Sequence, residues 1–290
     1  MIARKYIVFD IGKTKILAAV LKLGRKRFEF REMIEFKNPR NPARIQKIIL
    51  DYCDSARAKF WTKKVAISAA QLVDSEKKIV SQGKTCYGTE EFSFGFLEKE
   101  GYSIRIENDG RCFALGEYYF GKGREAKNIL TLALGTEIGG GFLVDGKNYR
   151  GFHNSSLEIS HISANYLGQW IDWANLCAGK GIENAYQKET GEKLTAKEIF
   201  LKAKQNKAAR EIIARAADIL GRGTASLINI LDPEIIIFGG SLSREKDFLE
   251  RAVRMARKHT FNKKANYKFA ISNLGNKANL LGAALLFAGL

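Results

Sequence analysis

The feature that most constrains the fold of this chain is one layout that occurs twice. Residues 6–21 consist of an apolar β-rich run, a turn that contains Gly12 and Thr14, and a second apolar run. Residues 128–147 repeat this order, with Gly135 and Thr136 at the start of the turn. Apolar runs separated by short glycine-containing turns predict β-hairpins. Because the same unit recurs far along the chain, we expect two related domains that face each other.

The first turn contains Gly12-Lys13-Thr14, which has the ending of a Walker A motif but not its context. That motif requires an earlier glycine at the position of Ile7, and it must open a helix. Here the turn is followed by a second β-rich run, so the sequence does not predict a P-loop.

A hairpin turn can nevertheless bind phosphate, because successive backbone N–H groups form an anion-binding concavity. Thr14 would add a hydroxyl group, and Lys13 or Lys15 would add positive charge. Asp10 would repel a bare phosphate but suits Mg²⁺ that the phosphate carries, held through coordinated water. An ordinary hairpin with a solvated turn is the alternative interpretation.

A second segment with chemical potential is Ile104 to Gly110, an alternating strand pattern that ends in Glu107-Asn108-Asp109. A helical pattern follows over residues 111–120. A carboxylate at the end of a strand is aimed by a rigid element into the crevice where α/β proteins bind ligands. Asn-Asp-Gly is also a common plain turn, so this segment alone leaves both interpretations open.

Other patterns predict the supporting elements. Asn41 and Pro42 predict the start of a helix, as its cap and its first residue. Residues 90–100 predict a helix with an aromatic face, and Ser243 is expected to cap another. Residues 121–126 match G-x-G-x-x-A, but a helix precedes them and a strand follows, which excludes dinucleotide binding.

Composition limits the class of protein. The 290 residues are 46% hydrophobic with 3 prolines, which argues against long disordered segments. No apolar run reaches the roughly 18 residues that would cross a membrane, and the basic start Met1–Lys5 does not lead into a signal peptide. We therefore expect a cytoplasmic protein. The four cysteines are scattered, so a zinc site is not expected.

The formal net charge of +17 has three interpretations. It can reflect a solvated basic surface, a field that attracts phosphates, or nucleic-acid binding. The basic residues are spread along the chain, with small clusters at Lys22–Arg27 and Lys263-Lys264, and no nucleic-acid motif accompanies them. No specific nucleic-acid partner is expected.

Taken together, the motifs resemble those of the ROK family of sugar kinases, within the actin/hexokinase-like ATPase superfamily. Asp10 to Lys15 resembles the family's first phosphate motif, DIGGTK, and Leu134 to Gly141 resembles the second, LGTGIGGG. Residues 107–117 resemble the catalytic segment E-N-D-x-x-x-x-A-x-G-E. Leu157 to His161 resembles GEIGH, and Ile235 to Ser241 resembles the adenosine-site strand with its glycines.

The resemblance implies an α/β fold of two actin-like, ribonuclease-H-like domains with a nucleotide- and sugar-binding cleft between them. Residues 1–110 with a C-terminal helix at 277–290 would form one domain, and residues 111–276 the other. The family is often dimeric, so a homodimer is possible.

The resemblance also implies transfer of phosphate from Mg·ATP to the 6-hydroxyl of a hexose, of the glucose or N-acetylhexosamine class. Asp109 would be the general base, and Asn108, Glu158 and His161 would bind sugar hydroxyls. Asp10 would hold Mg²⁺ through water. The ATP-binding residues would be Gly12, Lys13, Thr14, Lys15, Gly135, Thr136, Gly239 and Gly240.

The chain departs from the family pattern at several positions. Lys13 and Glu137 replace motif glycines, and one resolution is that they pair with each other across the cleft. The family's zinc motif is missing, so His161 is free for substrate or structural. A sugar-binding glutamate of the family aligns with Ala174, for which Asp172 or Glu183 could substitute.

Two other functions are compatible with these residues. One is a degenerate member that binds sugar or nucleotide without efficient catalysis. The other is a transcriptional repressor of the same family, although such repressors carry a helix-turn-helix before the first strand.

Overall fold

A computed structural model of the chain describes residues 4–24 and 27–288. The chain divides into two compact units. Unit 1 comprises Met1–Glu125, Gly146–Ser156 and Asn276–Leu290, and unit 2 comprises Ala126–Asp145 and Leu157–Gly275. Residues 111–125 and 146–156 thus lie in unit 1, whereas the sequence prediction assigned them to the second domain. A boundary at residue 110 would cut through a helix that starts at Asp109.

The strands in chain order are β1 (Arg4–Ile11), β2 (Lys15–Leu23), β3 (Phe28–Lys37), β4 (Lys64–Ala69), β5 (Leu72–Asp74), β6 (Ile79–Ser81), β7 (Glu91–Ser93), β8 (Ser103–Asn108), β9 (Ile129–Leu134), β10 (Ile138–Val144), β11 (Lys147–Asn148), β12 (Ser163–Tyr166), β13 (Gln169–Asp172), β14 (Ile235–Gly239) and β15 (Lys268–Ile271).

The helices are α1 (Pro42–Phe60), α2 (Lys84–Tyr87), α3 (Phe96–Lys99), α4 (Asp109–Phe120), α5 (Ala174–Cys177), α6 (Gly179–Thr190), α7 (Ala196–Lys202), α8 (Lys207–Leu231), α9 (Lys246–His259) and α10 (Lys277–Leu285). Short 3₁₀ helices occur at Ile159–His161, Leu242–Arg244 and Leu286–Ala288. No helix in the described ranges is both long and apolar enough to span a bilayer.

Unit 1 is built on a five-stranded sheet in the order β3–β2–β1–β4–β8. The first three strands pair antiparallel, and β1, β4 and β8 run parallel. Tyr6 to Phe9 are all buried, because a central strand of such a sheet is covered on both faces. The strand predicted at residues 6–9 is confirmed, and the alternating run that begins at Ile104 is part of β8, which extends to Asn108.

The predicted helix after Asn41 is also confirmed as α1. The Asn41 side chain accepts a hydrogen bond of 3.0 Å from the Arg44 backbone N–H, and Pro42 is the first helical residue. Ile45, Ile49 and Ala56 lie on the buried face, as their helical spacing predicts.

The helix predicted over residues 90–100 is wrong in its first half. Residues 91–93 form β7, and only Phe96–Lys99 are helical. Phe92, Phe94 and Phe96 alternate along the chain, and Phe92 pairs with Val80 of β6. The rings of Tyr87, Phe92 and Phe94 pack together, so an aromatic cluster favours the strand over the helical interpretation.

Unit 2 contains a sheet with the same plan, in which neighbouring strands follow the order β10–β9–β14–β15. The β9–β10 hairpin is antiparallel, and β14 is parallel to both β9 and β15. The repeated layout in the sequence is therefore a hairpin that occupies the same place in two sheets. The second turn spans only residues 135–137, because Gly139 to Gly141 belong to β10.

Ser243 does not cap α9, contrary to the prediction. It lies in the 3₁₀ helix Leu242–Arg244, and its hydroxyl donates to the Gly240 carbonyl at 2.8 Å. Glu245 precedes the first residue of α9 instead. A serine can bond its own turn rather than the following helix, and the sequence does not distinguish the two.

Candidate active site

The carboxyl ends of three parallel strands bring the polar residues of unit 1 to one edge of its sheet. Asp10 of β1 is in register with Ser68 of β4, and Ser68 is in register with Glu107 of β8. Asn108 is the last residue of β8, and Asp109 follows it. This edge is where open α/β sheets bind their ligands.

Asp10 is held by its neighbours on this edge. Its Oδ1 accepts hydrogen bonds from the Ser68 hydroxyl at 2.7 Å and from Asn279 Nδ2 at 3.1 Å. Burial raises the pKa of Asp10, while Ser68, Asn279 and the charge of Lys15 lower it to a smaller extent. Both bonds fall on Oδ1, which leaves Oδ2 as the oxygen to receive a ligand.

The first glycine turn is closed by the Gly12 N–H, which donates to the Lys15 carbonyl at 3.0 Å. Lys15 extends toward β3, where its Nζ lies 2.8 Å from Glu35 Oε2. Thr14 is exposed. The structure therefore places Thr14 and the turn backbone at the surface, and it gives Lys15 a carboxylate partner.

Asn38 holds this turn in place through hydrogen bonds. The sequence did not indicate this role of Asn38. Its side chain is 4% exposed. Nδ2 donates to the Gly12 carbonyl at 2.7 Å and to the Cys86 carbonyl at 2.9 Å, and its backbone N–H donates to Thr14. The only sequence signal was the dipeptide Asn38-Pro39, which marks a turn without indicating what it holds.

Asn108 and Asp109 form the junction between β8 and α4. Asn108 caps the helix, with Oδ1 accepting from the backbone N–H groups of Gly110 at 2.9 Å and Arg111 at 3.3 Å. Its Nδ2 donates to the Gln71 carbonyl at 3.1 Å. An asparagine amide has two donors and two acceptor positions, so one N–H of Asn108 stays available for a ligand.

Asp109 is the first residue of α4 rather than part of a turn before it. Its Oδ1 accepts from the Gly110 N–H at 2.8 Å, which orients the carboxylate at the helix N-terminus. The positive end of the helix dipole favours the ionised carboxylate at that position.

Asp10 and Asp109 share one electrostatic environment. Burial raises the pKa of the Cys112 thiol well above its usual value, and the charges of Glu107, Asp10 and Asp109 raise it further. Burial likewise raises the pKa of Tyr87, with contributions from Cys86, Asp109 and Asp10. The strand register places Asp10, the predicted metal residue, and Asp109, the predicted base, at the same edge of the unit 1 sheet.

Unit 2 has a corresponding edge. Gly135 closes the second turn by donating to the Glu137 carbonyl at 3.0 Å, and the first N–H groups of α6 donate to Gly135 and Thr136. Gly239 ends β14 in register with Ala133 of β9. The second turn and the Gly239-Gly240 pair thus lie at the carboxyl end of neighbouring parallel strands.

Glu158 directly precedes the 3₁₀ helix Ile159–His161 in unit 2, and His161 is its last residue. The Ser160 hydroxyl bonds both backbone groups of Ile138, at 3.1 and 2.8 Å, and so fixes this helix to the start of β10. His161 is exposed, and its Nδ1 lies 3.0 Å from Asp172 Oδ2. Such a bond sets which ring nitrogen faces outward.

The residues considered as substitutes for the missing glutamate have other partners. Ala174 is 4% exposed and packs in the core of unit 2. Glu183 Oε1 accepts from the Ala196 N–H at 2.9 Å, and Asp172 bonds His161. Substitution of that glutamate by Asp172 or Glu183 stays a prediction.

Asp10 is the residue that the sequence analysis predicts to hold Mg²⁺. Across residues 4–24 and 27–288, no three His, Cys, Asp or Glu side chains are grouped to hold a metal ion. Mg²⁺ is commonly held by one or two carboxylates together with substrate phosphates, and the single carboxylate of Asp10 fits that mode. The four cysteines are buried free thiols.

Two sheets that each begin with a glycine-turn hairpin, and a carboxylate pair at one sheet edge, define an α/β protein of the two-domain actin-like ATPase class. The sequence model of the ROK family matches residues 6–289. The chain belongs to the ROK family.

Relatives and solved structures agree with this assignment. The chain is 31% identical over 243 residues to the N-acetylgalactosamine kinase AgaK of Shewanella sp. (strain ANA-3), covering 78% of each chain. It is 28% identical over 303 residues to a glucokinase of Streptomyces coelicolor, covering 95% of each. A ROK family glucokinase from Streptomyces griseus, in complex with glucose and AMPPNP, superposes with a TM-score of 0.82 at 25% identity, over 98% of this chain and 99% of that one.

Proposed function

We propose that this protein is a cytoplasmic kinase that transfers a phosphoryl group from Mg·ATP to a hexose. The hexose belongs to the glucose or N-acetylhexosamine class, and its 6-hydroxyl is the acceptor. The observation that supports the proposal is that Asp10, near the end of β1, and Asp109, directly after β8, lie at the same edge of the unit 1 sheet. The named activities of the relatives support the same substrate classes.

Asp109 is the general base in this proposal. The helix N-terminus and the Gly110 N–H hold its carboxylate in place, so it can accept the proton of the attacking hydroxyl. The remaining N–H of Asn108 and the side chains of Glu158 and His161 bind sugar hydroxyls. Phosphoryl transfer needs little covalent help from the protein, so positioning and charge neutralisation do most of the work.

The nucleotide is bound by the glycine turns. The proposed phosphate-binding residues are Gly12, Lys13, Thr14 and Lys15 of the first turn and Gly135 and Thr136 of the second. Gly239 and Gly240 contact the adenosine. Mg²⁺ neutralises phosphate charge when it is bound, and Oδ2 of Asp10 would hold it through water. The pairing of Lys13 with Glu137 stays a prediction.

The deciding experiment is an assay of the purified protein with Mg·ATP and a panel of hexoses and N-acetylhexosamines. We expect ADP release that depends on one of these sugars and that Asp109→Asn abolishes. Absence of turnover on every sugar, with no difference between wild type and Asp109→Asn, would contradict the proposal.

A second candidate is a member that binds sugar or nucleotide without efficient catalysis. The observation in its favour is that Ala174 is buried, while Asp172 and Glu183 bond other groups. Calorimetry separates the two functions, because saturable binding of sugar or ATP without turnover supports this second candidate.

A further inference from the structure

Unit 1 contains a buried ion cluster that the proposed chemistry does not use. Glu107 is 0% exposed and Arg111 is 1% exposed. Glu107 Oε1 accepts from an Arg111 NH1 at 2.9 Å and from the Asn108 backbone N–H at 2.9 Å. Its Oε2 accepts from Arg150 Nε at 2.6 Å.

Burying such charges is costly, and well-packed apolar residues often stabilise a core as well or better. The hydrogen-bonding capacity of Arg111 is also not fully used, since its buried Nε has no hydrogen-bond partner among the described residues. We therefore infer that the cluster of Glu107, Arg111 and Arg150 has a role besides stabilising the fold.

The arginines connect the end of β8 to the segment Tyr149–Ser156. Arg150 is bonded to Glu107, and the second terminal nitrogen of Arg111 donates to the Asn154 carbonyl at 2.5 Å. Within the segment, Ser156 donates to the carbonyls of Arg150 at 3.2 Å and Tyr149 at 2.6 Å. A closed segment is thus anchored at two points to the element that leads into Asp109.

The backbone directly after this segment is strained. Leu157 has φ of 65°, a left-handed value that is unfavourable for a bulky side chain. Strained conformations persist where the surrounding contacts hold them. Leu157 is followed directly by Glu158, the predicted sugar ligand.

We propose that Arg111, through its bridge between Glu107 and the Asn154 carbonyl, is a positioning residue for the segment Tyr149–Ser156, which leads through Leu157 to the predicted sugar ligand Glu158. Arg150 is the second anchor. The inference rests on the proposed function, because it assigns the cluster to sugar binding.

Two variants test this while keeping Glu107 compensated. Arg111→Lys keeps a charge beside Glu107, but a single ammonium cannot reproduce the planar fork that reaches both partners. Arg150→Gln removes the more exposed anchor and leaves the Arg111 pair intact. Arg251→Gln is the matched control, because it breaks a two-point pair of 2.6 and 2.7 Å with Asp218 in unit 2.

For both cluster variants we expect the sugar KM to rise about tenfold, the scale of one lost charge-assisted hydrogen bond. The KM for ATP should change little, and kcat should fall less than the sugar KM rises. Hydrogen–deuterium exchange in residues 149–158 should increase in both. Arg251→Gln should leave the sugar KM and that exchange as in wild type.

The inference is overturned if the folded variants keep the wild-type sugar KM and exchange. It is equally overturned if the KM values for sugar and ATP rise together, since that indicates a general loss of structure. If wild type itself turns over no sugar, the proposed function fails. In that case the inference is tested by the sugar dissociation constant from calorimetry and by hydrogen–deuterium exchange in residues 149–158. The inference is overturned if both quantities are the same in the two variants as in wild type.

Discussion

Asp10 and Asp109 lie at the same edge of unit 1, yet their surroundings prepare them for different roles. Asp10 accepts two side-chain bonds on one oxygen, and burial raises its pKa. Asp109 begins α4, where backbone N–H groups favour the charged carboxylate. The surroundings of Asp10 fit its proposed role as a Mg²⁺ ligand, and those of Asp109 fit its proposed role as the general base.

Asp109→Asn tests the role of the base. The amide keeps an oxygen for the Gly110 N–H but cannot accept a proton at neutral pH. We expect kcat to fall by roughly 10²–10⁴-fold, with the sugar dissociation constant and unfolding temperature close to wild type. Steady-state kinetics with calorimetry measures this, and an unchanged kcat would exclude Asp109 as the base.

Asp10→Asn tests the link between function and stability. Because the pKa of Asp10 is raised in the folded state, the folded protein binds more protons than the unfolded chain above the usual carboxyl pKa. Stability is therefore lost as pH rises through the folded value. The amide removes the buried charge and keeps an oxygen for Ser68 and Asn279.

We expect ligand-free Asp10→Asn to unfold at a higher temperature than wild type at neutral pH, with a smaller dependence on pH. Its Mg·ATP-dependent turnover should fall at least about 10²-fold. Thermal unfolding from acidic to neutral pH and a kinetic assay measure the two effects. A variant less stable than wild type at neutral pH would show that the desolvation argument is wrong.

At the scale of elements, the first glycine turn depends on Asn38. Asn38→Ala leaves the carbonyls of Gly12 and Cys86 without their buried donor, so we expect a loss of about 2–3 kcal/mol and a several-fold higher KM for ATP. The control is Asn41→Ala, which removes the cap of α1 and should cost about 1 kcal/mol without changing that KM. Denaturant unfolding and steady-state kinetics with ATP compare the two variants. If both have the same KM for ATP, the first glycine turn does not contribute to nucleotide binding.

Gly240, in the turn after β14, can be compared with Gly191, because both have a positive φ but only Gly240 is in a crowded position. Gly240 has φ of +81°, and a Cβ there would lie 2.2 Å from the Leu134 carbonyl oxygen. Gly191 at the end of α6 has φ of +76° and no atom within 4 Å of that position.

We expect Gly191→Ala to cost about 1 kcal/mol, the cost of left-handed backbone alone. Gly240→Ala should cost roughly 3 kcal/mol, because the backbone of β9 must move as well, and ATP binding should weaken. Equal losses of unfolding free energy would show that the contact with Leu134 does not matter.

At the scale of the whole molecule, the net charge of +17 predicts weak, salt-sensitive binding to DNA. We expect retention on DNA at about 50 mM salt, independent of base sequence, and release by about 200 mM salt. Gel-shift titration with two unrelated duplexes measures it. Retention of one particular sequence at physiological salt would instead support the repressor interpretation.

The sequence alone determined the repeated hairpins, the strand that leads to Asn108 and the residue types of the candidate site, because glycine turns and apolar periodicity are local signals. It did not show that Oδ1 of Asn108 caps α4 while Nδ2 bonds the Gln71 carbonyl. Nor did it show that residues 91–93 join a small sheet packed with aromatic rings. Asn38, Ser68, Asn279, Arg111 and Arg150 also went unnoticed. Each acts on a residue far away in the chain, and only the tertiary structure brings such donors and acceptors within hydrogen-bond distance.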